Sequence, residues 1–142
     1  MRRSLIALLI VLGVVTAGCD SGRTSVLELG VGDCFNDEGL EDEITVVPTV
    51  ACSEPHDLEV YFAYSMTNSV YPGLDAALNA ATQECFEEFE PFVGLDYFES
   101  ELDFFSMVPT QQSWDQGDRE VLCSVYAIDQ SKLTGSMRNA QR

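Results

Sequence analysis

The sequence predicts an α+β fold: an antiparallel sheet of about five strands with one main helix packed on it, held by two disulfides. Several short segments alternate apolar and polar residues, and one stretch repeats its apolar residues every three or four positions. Four of the five cysteines fall within the part of the chain carrying those patterns. With 142 residues, 46% of them hydrophobic and 10% aromatic, there is material for one core and no second domain.

Residues 1–18 read as a leader rather than as fold. Arg2 and Arg3 are basic, Leu5 to Val15 is unbroken apolar chain, and Thr16-Ala17-Gly18-Cys19 brings small residues up to a cysteine. That ending resembles a bacterial lipobox, with Thr16 in place of the usual Leu, and implies lipidation of Cys19 and cleavage before it. An ordinary signal peptide or a retained anchor are the alternatives, but the uncharged stretch Ser4 to Gly18 has 15 residues where a spanning helix needs about 20. Residues 19–25 are then a lipidated cysteine and a short tether, 26–138 the folded domain and 139–142 a C-terminal tail. The implied location is the outer, extracytoplasmic face of the cell membrane, with the lipid as anchor.

Val26 to Phe35 reads as the first strand, with Leu27, Leu29 and Val31 alternating with Glu28, Gly30 and Gly32. The acidic loop Asn36 to Glu43 follows. Ile44 to Val50 is β-branched, and its Pro48 suggests an edge or bulged strand. His56 to Met66 alternates with Leu58, Val60, Phe62 and Tyr64 on one face, so it reads as central. After Pro72-Gly73, the residues Leu74, Ala77, Leu78, Ala81, Cys85 and Phe89 form one helix stripe, and Pro91 with Gly94 marks its end. Glu101 to Pro109 and Arg119 to Ile128 are the last two strands, separated by the turn-rich TQQSWDQGD.

Setting Cys19 aside leaves Cys34, Cys52, Cys85 and Cys123, an even set in an exported chain, hence two disulfides. Of three pairings, Cys34 to Cys52 flanks one hairpin and Cys85 to Cys123 joins the helix stripe to the last strand's inward face. Their loops restrict the unfolded chain by roughly 3 and 4 kcal/mol. A site holding metal on all four thiolates is the rival, but no pair has the close spacing of zinc knuckles.

Seven Lys and Arg against 24 Asp and Glu give a net charge of −17, and loss of the leader removes Arg2 and Arg3 but no acid. Clustered cations are what phosphate backbones require, so nucleic acid is excluded as a partner. A cationic partner suits the charge, and repulsion from anionic lipid turns the acidic surface away from the bilayer. The acidic loop Asp37 to Glu43 could gather Ca²⁺ but lacks the order of an EF-hand, so a solvated charge run is the simpler reading.

The single histidine, His56, stands beside Cys52, Ser53, Glu54 and Asp57, a set that invites catalysis. Adjacent strand residues point to opposite faces, a disulfide cysteine is no nucleophile, and no GxSxG occurs to aim Ser113 or Ser124, so a structural turn is the simpler role. Tyr97, Phe98, Phe104 and Phe105 either line a hydrophobic groove or fill core. Trp114 is either an aromatic binding anchor on a turn or a cap on the core, with Arg119 pairing with Asp115 or Asp118.

The segments VGDCF (31–35), ACSEPHDLEVYF (51–62), YPG (71–73), helical Cys85, PTQQSWDQGDREVLC (109–123) and LTGSMR (133–138) occur in the order that resembles the septum formation family of actinobacterial envelope proteins. The likeness covers residues 27–138, with His56, Trp114, Arg119 and the four cysteines on motif positions and the NDEGLEDE stretch departing from it. It implies an extracytoplasmic, often lipid-anchored domain linked to cell division, and it brings no catalytic residue and no cofactor. The resulting expectation is a non-enzymatic, membrane-tethered module that binds another envelope protein or a wall component. The alternative is an envelope enzyme or solute-binding lipoprotein with a pocket near His56 or Trp114.

Overall fold

The structure is a computed structural model that describes residues 23–37 and 46–142. The leader, Cys19 and the acidic residues Glu38 to Glu43 lie outside the described residues. Among the described residues six antiparallel strands form one sheet: β1 (Arg23–Ser25), β2 (Cys34–Phe35), β3 (Val46–Val50), β4 (Leu58–Ser65), β5 (Leu102–Met107) and β6 (Glu120–Ala127). They lie in the order β1-β3-β2-β4-β6-β5. The main helix α1 (Leu74–Val93) packs on one face, and a second, α2 (Gln111–Asp115), occupies the connection expected to be a turn.

The expected first strand is divided. Val26–Glu28 forms a 3-10 turn because the Ser25 side chain accepts the Leu27 N–H, and Gly32 takes φ 97°, leaving only Cys34–Phe35 to pair. Residues 23–25, expected in the tether, instead pair with β3, Arg23 opposite Pro48 and Ser25 opposite Val46, with Thr24 and Thr49 hydroxyls bonded at 2.9 Å. Only Asp20, Ser21 and Gly22 therefore separate Cys19 from the sheet. Pro48 is not on an edge: β3 lies between β1 and β2, whose shortness leaves little ladder for its missing N–H to interrupt, and its carbonyl accepts the Asn36 N–H.

β4 is central, flanked by β2 and β6, but its alternation breaks. The register shifts between Val60 and Phe62, so Tyr61 is a bulge. Leu58 and Val60 pack with Leu29, Phe35, Val47 and Leu122 on the face away from α1, whereas Tyr61, Phe62 and Tyr64 pack on the helix side. The bulge brings the Tyr61 hydroxyl to the Cys85 carbonyl and its ring against Phe89 and Phe92.

α1 buries Ala77, Ala81, Cys85, Phe89, Phe92 and Val93, while Leu74 and Leu78, expected on the same stripe, stay exposed. Pro91 lies inside the last turn, and the helix stops at Gly94, whose φ of 79° is left-handed. The disulfides are Cys34–Cys52 and Cys85–Cys123, with Cα separations of 5.2 and 5.5 Å. The second ties α1 to β6. Residues beyond β6 are part of the fold: Leu133 and Met137 enter the core, and the Asn139 and Gln141 amides donate to the Phe92 and Val93 carbonyls, satisfying the end of α1. No helix among the described residues is long and apolar enough to cross a membrane.

Candidate functional site

Trp114 is carried by α2, which opens with a capping box: the Thr110 hydroxyl accepts the Ser113 N–H and the Ser113 hydroxyl accepts the Thr110 N–H. This start turns the indole inward. Trp114 is 4% exposed among Met66, Ala77, Ala81 and Val121, with Tyr71 against it at 5.6 Å. The exposed anchor considered from sequence is thus a core side chain. Arg119 closes over it, the guanidinium 3.7 Å from the ring centroid, and donates to the Trp114 and Asp118 carbonyls rather than to the Asp115 or Asp118 carboxylates. Ser113, a candidate partner for a catalytic histidine, is engaged in the capping box.

His56 is fully buried where the chain pairs back on itself, its N–H donating to Leu133 O and its carbonyl accepting the Leu133 N–H. Nδ1 lies 2.8 Å from the Glu54 carbonyl, and since a carbonyl only accepts, Nδ1 carries the proton. Nε2 and the Ser124 hydroxyl are buried without a hydrogen-bond partner among the described residues. Asp57 points elsewhere: Lys132 Nζ bridges its carboxylate at 2.6 Å and Asn36 at 2.8 Å, while the Asp37 N–H donates to it. Burial opposes ionisation of Asp57, but the Lys132 ammonium and the Asp37 amide hold its carboxyl below the usual range. Burial, and then repulsion from Asp57, raise that of Asp37.

Sequence reasoning did not single out Glu59. It is buried, and its carboxylate accepts the Ser136 hydroxyl and the Met137 N–H, each at 2.6 Å, clamping LTGSM onto the sheet. Glu59 lies beside Cys34 and Cys52, but those sulfurs are bonded to one another and offer no thiolate to a metal. A strand position flanked by apolar residues was the available signal. The partners came from 77 residues away, which no local pattern reveals.

Two surfaces stand out. On the sheet face away from α1, a groove of about 380 Å³ runs between the 3-10 turn and α2, floored by Val26, Phe105, Met107 and Leu122 and rimmed by Ser113 and Gln116. Neither His56 nor Trp114 lines it. On the other side an aromatic ladder climbs out of the core: Phe89 contacts Tyr97 at 5.2 Å, and Tyr97 contacts both Phe86 and Phe98 at 5.4 Å. Phe86 is 41% exposed and Phe98 is 82% exposed. Of the four aromatics grouped from sequence, Tyr97 touches both Phe98 and Phe104, at 5.4 and 5.6 Å, and joins the surface to the core, whereas Phe105 lines the groove on the opposite face.

Charge is unevenly spent. Arg119 covers Trp114, Lys132 pairs with Asp57, Arg138 lies over Phe92 and Arg142 faces Glu101 at 3.6 Å. Glu84, Glu87, Glu88 and Glu90 crowd the C-terminal half of α1, whose last turn has no basic residue. A helix C-terminus carries partial negative charge, so an acid in the last turn is misplaced by ~0.3–1 kcal/mol.

A model of the family described as septum formation matches residues 22–123 of the chain. The match starts at the edge of β1 and ends on the second cysteine of the helix-to-sheet disulfide, leaving LTGSMR outside it. Among curated proteins and among solved structures nothing matches.

Proposed function

The chain belongs to the septum formation family, and on that premise we propose that it is a non-enzymatic interaction module serving septum formation in the cell envelope. It is tethered through lipidated Cys19 to the outer face of the membrane and holds another envelope protein or a wall component. One observation carries the reading: the motif side chains His56, Trp114 and Arg119 are consumed by internal contacts, so the motif builds a stapled scaffold whose outer surface is anionic. With three residues between Cys19 and β1, the four backbone steps span at most about 14 Å and hold the sheet close to the membrane surface. Two acyl chains give stable anchoring where one does not.

The test is fractionation of cells expressing the full chain or Cys19→Ala, combined with site-specific photo-crosslinking in the same cells. The parent is expected in the membrane fraction with discrete crosslinked partners, and Cys19→Ala outside it or left as uncut precursor. Processing and sedimentation of Cys19→Ala like the parent would remove the lipid anchor, and an uncrosslinked parent would remove the module.

The groove favours one second reading, a small-solute binder, because its volume falls in the range of small-molecule sites and it joins an apolar floor to a polar rim. Met107→Trp would fill it. Loss of function in that variant with crosslinking retained would favour the solute reading.

A further inference from the structure

We propose that the aromatic ladder ending in Phe86 and Phe98 is the docking surface for a basic segment of a partner protein, one carrying Arg or Lys beside apolar side chains. The inference deepens the interaction-module reading and rests on it. Phe98 is the most exposed large apolar side chain among the described residues, yet it is held in place. The Asp96 carboxylate accepts its N–H at 2.9 Å, and its ring meets Phe86 at 5.9 Å and Tyr97 at 5.4 Å. Tyr97 is in turn fixed by donating its hydroxyl to Asp103 at 2.7 Å. The projecting ring is therefore preorganised, which lowers the ordering cost of an aromatic anchor.

Charge names the occupant. Exposed Glu87 and Glu90 stand on the same helix as Phe86, and exposed Asp96 and Glu99 flank Phe98, with none of the four in an ion pair among the described residues. A second copy would bring the same acids face to face, and an anionic bilayer would be repelled. A cationic segment meets carboxylates at the rim and aromatic faces at the centre, where guanidinium groups stack. The glutamates placed against the helix dipole fit the same account, since local rules are broken where a surface serves binding.

The experiment uses the full chain in detergent micelles and, as probe, a fluorescent 12-residue peptide alternating arginine and leucine, with a glutamate-leucine peptide as control. The arginine peptide is expected to bind and the control not to. Phe98→Ala, on a ring too exposed to support the core, should weaken binding about tenfold or more with dissociation faster. Glu87→Gln with Glu90→Gln should reduce the salt dependence. Leu27→Ala, exposed in the groove on the opposite face, should change nothing. Equal affinity of Phe98→Ala and parent overturns the proposal, as does Phe98-dependent dimerisation on sedimentation or Phe98-dependent binding to phosphatidylglycerol vesicles. Crosslinked partners in cells that persist in Phe98→Ala sink this surface and spare the module. Absence of partners for the parent, with peptide binding still Phe98-dependent, sinks the module instead.

Discussion

Arg119 combines contacts that a different cation cannot reproduce. Its guanidinium stacks on Trp114 and donates to two backbone carbonyls, fixing the strand-entry turn to α2. A lysine ammonium offers no planar face, so Arg119→Lys is expected to cost about 1–2 kcal/mol, read as a lower urea midpoint with unchanged slope. Asp103 plays a similar joining part, accepting from both Tyr97 and Tyr126. The hydrogen bond to Asp103, then burial, push the Tyr97 phenol up to about 12. The folded state therefore retains that proton beyond a free tyrosine near pH 10. Its stabilisation is full below pH 10 and is lost as pH rises through about 12. In an ultraviolet titration, Asp103→Asn should move late-ionising phenols to lower pH and reduce alkaline destabilisation between those limits. An unchanged titration would separate the phenols from Asp103. SWDQGDR offered Trp114 as an anchor or a core cap and Arg119 as a partner of Asp115 or Asp118. The stacking of Arg119 on the indole was not legible, because it depends on Trp114 turning inward against Ala77 and Ala81 of α1.

At the scale of elements, periodicity located α1, the central strand and the last two strands to within a few residues, because each contributes a whole face to the core. It failed where one residue reverses a face. The Tyr61 bulge looks like continued alternation in sequence, yet it moves Phe62 and Tyr64 to the helix side. It also failed for β1, whose three residues are too few to show a period and which exists because β3 offers an edge. The end of α1 makes a test of tertiary fit. Gly94 has φ 79°, and a Cβ there would stand 3.4 Å from Gln141 Cγ and 3.6 Å from Asn139 Cα. Gly94→Ala is expected to cost about 1 kcal/mol or more by thermal unfolding, whereas Gly30→Ala, with open space around it, should stay within about 0.5 kcal/mol. Similar losses at both positions would show that the C-terminal segment does not depend on this cap.

Across the whole molecule, two disulfides and a strong excess of acid oppose each other: mutual repulsion among acids favours expansion, and the staples restrict the unfolded chain. The Cys85–Cys123 loop spans 38 residues and the Cys34–Cys52 loop 18. Replacing the first pair by alanine should cost about 4 kcal/mol and the second about 3. Unfolding midpoints at low and high salt check both, with salt restoring part of the loss by screening. The reverse order would mean that native packing around β2 outweighs loop length.

What the sequence determined by itself was the class of fold, an even set of four cysteines that favoured one of three pairings, the excess of acid and the family likeness, because these follow from period, count and local motif. The pairing itself was decided by the stacking of α1 on β6 and of β2 on its neighbours. Tertiary structure alone decided which side chains remain available. Trp114 disappears under Arg119, Glu59 reaches across the chain to Ser136 and Met137, and Phe98 is left standing in solvent on a ladder rooted in Phe89. Exposure and long-range pairing depend on how separate elements stack, and residues far apart in the chain carry no local trace of one another.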